Sequence, residues 1–64
     1  MLTAKRIREL LRLTRAQFEL IVQRAGERAP KPQREGIMRF WREEDLEAFA
    51  LLVSEAERVG DLRR

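Results

Sequence analysis

Leu13-Thr14-Arg15-Ala16-Gln17-Phe18, residues 13–18, decides how the rest of this chain is read. Thr followed three positions later by Gln is a capping box. The Thr14 hydroxyl accepts from the amide of residue 17, and the Gln17 side chain accepts from the amide of residue 14, so two donors orphaned at a helix start are satisfied together. Leu13, just before the cap, is placed to staple onto Phe18. The spacing predicts a helix over about 14–25 with Phe18, Ile21, Val22 and Ala25 on one face, stopped by Gly26. Arg15, Ala16, Gln17, Glu19, Gln23 and Arg24 fall away from that face.

Upstream, Thr3 is a good N-cap, and Ala4, Ile7, Leu10 and Leu11 recur at helical spacing, which predicts a first helix over about 4–12 with a basic opposite face. Two short helices joined by a tight turn at 12–14 match a helix-turn-helix in length and apolar spacing. Two amphipathic helices of an ordinary small bundle would give the same periodicity. Downstream, residues 26–36 hold two of the three glycines and both prolines. Pro30 and Pro32 exclude helix there, and Gly36 suggests a turn. Lys31 to Arg34 and Ile37 to Trp41 can then pair as a hairpin. A third helix is predicted from about Glu43, with acidic residues crowding its first turn as the helix dipole favours. Leu46, Phe49, Ala50, Val53 and Ala56 form its stripe, Leu51 and Leu52 broaden it, and Gly60 ends it. Phe18 and Phe49 lie on apolar faces and are expected inside rather than as base-stacking platforms. Of Phe40 and Trp41, Trp41 is expected to be the core member.

Composition bounds the function. A chain of 64 residues makes one small domain with no room for a deep cleft, here taken as residues 1–60 followed by a short basic tail over 61–64. With no Cys and no His there is no disulfide, no zinc site and no imidazole. Tyr is absent too, Ser54 is the lone serine, and no phosphate-binding glycine pattern occurs, so neither an enzyme nor a cofactor is expected. The longest apolar run, Phe49 to Val53, is far short of the roughly 20 residues that span a bilayer, so a cytoplasmic protein with no membrane partner is expected. Residues 1–42 carry eleven basic and four acidic side chains, a net of +7, whereas residues 43–64 carry a net of −4. The first two-thirds look suited to a polyanion.

In order along the chain, Leu2-Thr3 with Ile7 and Leu10-Leu11, Leu13-Thr14-Arg15, Ala29-Pro30-Lys31-Pro32, and Trp41-Arg42-Glu43-Glu44-Asp45-Leu46-Glu47-Ala48-Phe49 resemble the AlpA-type regulators and excisionases of phages and mobile elements. These are small winged helix-turn-helix proteins with a MerR-like fold, and the resemblance runs from Leu2 to about Phe49. It departs at Arg8, where the family usually has a small residue, and at Arg12, where it often has glycine; an arginine in a left-handed conformation there costs on the order of 1 kcal/mol. The expected fold is therefore mainly α with a small β-hairpin: three helices and a wing.

That fold assigns roles to residues. The second helix would enter the major groove of double-stranded DNA, with Arg15 forking onto guanine, Gln17 pairing with adenine in competition with its cap, Glu19 accepting from cytosine or pairing locally with Gln23 or Arg15, and Gln23 and Arg24 reaching backbone. Thr14 and Ala16 complete its DNA-facing set. Lys31, Gln33, Arg34 and Arg39 would approach the minor groove from the wing, with Arg34 at its turn. Lys5 and Arg6, with Arg8 and Arg12, are phosphate candidates on the first helix. The resemblance implies either an excisionase, or recombination directionality factor, that bends DNA beside an integrase, or a transcriptional regulator; a monomer this small would need neighbours on adjacent sites or dimerisation through the third helix. The competing class is a protein-interaction module that docks a partner on Leu51, Leu52 and Val59.

Overall fold

In the computed structural model, which describes residues 1–62, Thr3 is the last residue of a strand and the cap of a helix at once. An N-cap residue needs extended backbone, and Thr3 supplies it with φ −84° and ψ 164°. Strand β1 (Leu2–Thr3) thus runs straight into helix α1 (Ala4–Leu11), and the Thr3 hydroxyl accepts from the Arg6 amide at 3.1 Å. The helix ends at Arg12, which adopts the left-handed conformation, φ 57° and ψ 51°. The Leu13 amide donates to the Arg8 carbonyl at 2.8 Å and the Arg12 amide to Glu9 at 3.4 Å. These two bonds form the Schellman pattern that glycine usually serves.

Helix α2 (Arg15–Ala25) opens on the capping box, with the Gln17 amide donating to the Thr14 hydroxyl at 3.1 Å and the Thr14 amide to Gln17 Oε1 at 2.8 Å. A 3-10 turn over Gly26–Arg28 follows, and the chain then runs to strands β2 (Gln33–Glu35) and β3 (Met38–Trp41) before helix α3 (Asp45–Arg58). The hairpin turn is Gly36-Ile37, with φ +62° at Gly36, as a two-residue type II′ turn requires at its first central position.

The hairpin departs from the expected one in its ends, its turn and its neighbours. Its first strand begins at Gln33, because Pro32 has no amide to give a ladder. Ile37 belongs to the turn, and Arg34 sits mid-strand opposite Arg39. The hairpin is also part of a three-stranded antiparallel sheet in the order β1-β3-β2, with Leu2 opposite Trp41 and Thr3 opposite Phe40. A two-residue strand is too short to show any period in sequence.

The core is Ile7, Leu13, Phe18, Ile21, Trp41, Phe49, Val53 and Leu62. Phe18, Trp41 and Phe49, one from each of α2, β3 and α3, meet with ring centroids 5.4 to 5.7 Å apart. Such pairs add about 0.5–1.5 kcal/mol beyond the area they bury. Trp41 is the inward member of the Phe40-Trp41 pair, as expected, and its indole Nε1 donates to the Pro30 carbonyl at 3.0 Å. Leu10 and Ala50, expected on apolar stripes, are exposed, and Leu52 packs against the core instead. Leu62, assigned to a tail, is a core residue. Gly60 takes φ +80°, the Asp61 amide donates to the Ala56 carbonyl at 2.9 Å, and the chain folds back so that Leu62 is buried. The remaining tail residues, Arg63 and Arg64, lie outside the described residues.

Candidate nucleic-acid interface

Residues of α2 that share a stripe can be read from its pitch of 3.6 residues per turn. Arg15, Glu19 and Gln23 follow one another at four-residue intervals, flanked by Ala16, and all four are exposed. Thr14 and Gln17 differ from them. Both are engaged in the capping box, so the Gln17 amide oxygen expected to read a base already holds the Thr14 amide.

Glu19 does not pair within its own helix. Its carboxylate accepts from Arg39 Nη2 at 3.0 Å, linking α2 to β3 across 20 residues of sequence. The Arg39 guanidinium also lies 5.3 Å from the centroid of the Trp41 ring, close enough for a cation–π attraction worth about 0.5–1 kcal/mol at partly exposed sites. Arg39, expected to reach a minor groove, is therefore a strut. The register explains why it needs an anion. Arg34 and Arg39 are direct cross-strand partners, which puts two like charges on one face of the hairpin, an arrangement that is unfavourable when nothing answers it. Glu19 answers it.

Arg34 and Arg39 share the hairpin face that leads, through Trp41 two residues on, into the core. Arg34 thus sits beside the Glu19 pair on the side of the hairpin nearest α2, and Arg15 lies one turn before Glu19 on the same stripe. Among the described residues, Arg15, Arg34 and Lys31 are exposed and make no ion pair. Gln33 is opposite Phe40 and faces the other way, on the outer side of the sheet.

Arg24 does not join this group. Nine residues beyond Arg15, at about 100° each, it stands half a turn round the helix, where it lines a groove between α2 and α3 with Leu52 and Glu55. On α1, Lys5 and Arg6 are exposed, and Arg6 is 3.7 Å from Glu9 in a pair a turn apart. Arg42 pairs with Glu44 at 3.5 Å and Asp45 at 3.9 Å, and its amide donates to Asp45 Oδ2 at 3.2 Å, which fastens the entry to α3. Sequence reasoning missed Ile37, which is 98% exposed at the hairpin tip, and the strut itself. The strut had at most a weak signal: a two-residue turn at Gly36-Ile37 sets Arg34 opposite Arg39, a like-charge pair that a nearby acid relieves.

No described helix is long and apolar enough to cross a membrane. Comparison with known protein families, curated proteins and solved structures finds no match for this chain.

Proposed function

We propose that the chain binds double-stranded DNA as a winged helix-turn-helix protein, with the Arg15–Gln23 stripe of α2 in the major groove and the β2–β3 hairpin as its wing at the neighbouring minor groove. The observation that carries this reading is the Arg39–Glu19 bond at 3.0 Å. It braces the hairpin against the exposed flank of α2 and leaves Arg15 and Arg34, one on each element, beside the brace with no ion-pair partner among the described residues. A pre-capped helix N-terminus adds partial positive charge where phosphate would lie.

In this reading Arg15 forks onto a guanine edge, Gln23 and the helix N-terminus contact backbone, Arg34 and Lys31 serve the wing, and Lys5 and Arg6 hold phosphates from α1. Arg24 is withdrawn from the DNA set because it belongs to the other flank. The likeness to AlpA-type regulators and excisionases extends the proposal to a role in recombination beside an integrase, or in transcription control of a mobile element.

The test is a binding titration across salt concentration with Arg15→Ala and Arg34→Ala beside the parent chain. About four phosphate contacts imply a slope of log affinity against log salt of about −3 to −4. Arg15→Ala should relax preference at one base pair by about 1–3 kcal/mol, and Arg34→Ala should weaken all duplexes evenly. Salt-independent binding, or parent-like preference in Arg15→Ala, would overturn the assignment.

A further inference from the structure

The flank of α2 that carries Arg24 faces a groove of about 220 Å³ closed on its other side by α3. Its floor is apolar, with Leu20, Ile21, Leu52 and Ala56 among its lining residues, and Val59 at its margin is 67% exposed. From α3 and its end Leu52, Glu55, Ala56 and Val59 line the groove, with Leu52 three and four residues from Glu55 and Ala56, and Val59 four and three beyond them. That is the spacing of a helix seam that packs against another helix. Leu51, also 67% exposed, flanks it. Leu52 and Ala56 are partly covered by the core, and Leu51 and Val59 are left exposed among the described residues.

The charges at the groove separate one occupant from others. Glu55, the acid within the seam, is already neutralised by Arg28 at 3.0 Å. Two rim charges remain, Arg24 and Asp61, opposite in sign, and neither side chain has an ion-pair partner among the described residues. A ligand of one sign would match one and oppose the other. A two-fold axis sets residues near it against their own copies and residues away from it reciprocally against other residues of the same patch, so a face with one unanswered charge of each sign on its rim can be complementary to itself. We infer that this face is a homodimer interface, in which two copies pack their α2–α3 grooves about a two-fold axis. Arg24 of each copy then pairs with Asp61 of the other, and Leu52, Val59 and Leu51 form the apolar centre.

A stable interface takes about 800 Å² from each partner, about a sixth of the 4910 Å² this chain exposes. The inference does not depend on DNA binding, and its failure would leave the salt titration above untouched.

Sedimentation equilibrium on the full chain, from low micromolar to near-millimolar concentration, tests it with four variants: Val59→Asp, Arg24→Asp, Asp61→Arg, and the double reversal of Arg24 and Asp61. All the altered side chains are at the surface or half-buried, and circular dichroism melts verify that each variant folds. The parent chain should show a monomer–dimer equilibrium. Val59→Asp should abolish it, each single reversal should weaken it about tenfold or more, and the double reversal should restore it. A parent chain that stays monomeric throughout would assign the groove to a different protein and overturn the proposal. So would a dimer indifferent to Val59→Asp, or single reversals that the double variant does not rescue.

Discussion

Arg12 shows how much one backbone position can hold. Its left-handed conformation lets α1 stop and α2 start within three residues, and the Leu13 amide reaches back to Arg8 only because of it. The strain of a side chain there is about 1 kcal/mol, and the capped turn repays it. Arg12→Gly should therefore raise stability, by up to about 1 kcal/mol, without altering the fold, as measured by urea unfolding; a loss of stability would mean that the arginine's contacts outweigh its strain. Trp41 carries a different burden. It fills the centre of the aromatic cluster and donates to the Pro30 carbonyl, so one side chain ties the proline-bounded connection to the sheet. Its inward placement was legible in the sequence from its position just before α3. The indole's acceptor was not, because Pro30 is eleven residues away and nothing local brings them together.

Between elements, the decisive contact is the Arg39–Glu19 strut. The hairpin has only the short β1 as a further neighbour in the sheet, and a two- or three-stranded ribbon gains little stability alone. Its angle to α2 is held by Trp41 below and by this pair above. With side chains 30% and 49% exposed, the pair is a modest source of stability; partly exposed pairs couple by about 0.2–1 kcal/mol. A double-mutant cycle with Glu19→Gln and Arg39→Gln should give a coupling in that range, and under the proposed DNA-binding reading Arg39→Gln should lose DNA affinity by more than its stability loss accounts for, since a freed hairpin must be re-ordered on binding. Zero coupling in urea unfolding would show that the contact does not brace the hairpin. The helices themselves were largely readable: both caps, the stop at Gly26 and the buried Phe18, Ile21, Phe49 and Val53 stand where local spacing put them. Strand β1 and the true ends of β2 were not, because a strand of two or three residues has no periodicity and is defined by its partner.

The chain closes on itself at Leu62. A core built around eight residues has little redundancy, and a domain of this length is marginally stable. Leu62→Ala should cost about 2–5 kcal/mol, enough to bring unfolding close to physiological temperature, which a thermal melt would show; a change below 1 kcal/mol would mean that the return after Gly60 is decoration. The overall charge pattern also divides once the chain is folded. The basic side chains of α2 part company, with Arg15 going to the hairpin flank and Arg24 to the α3 flank, so one helix serves two surfaces. Local sequence was enough to determine the helices, their caps and turns and the polarity of their faces, because each depends on bonds and spacings within a few residues. Which charges meet, which aromatic lies under which arginine, and which apolar residues stay uncovered were decided only by packing, because those partners lie tens of residues apart and are matched by the register of a sheet and the rotation of a helix.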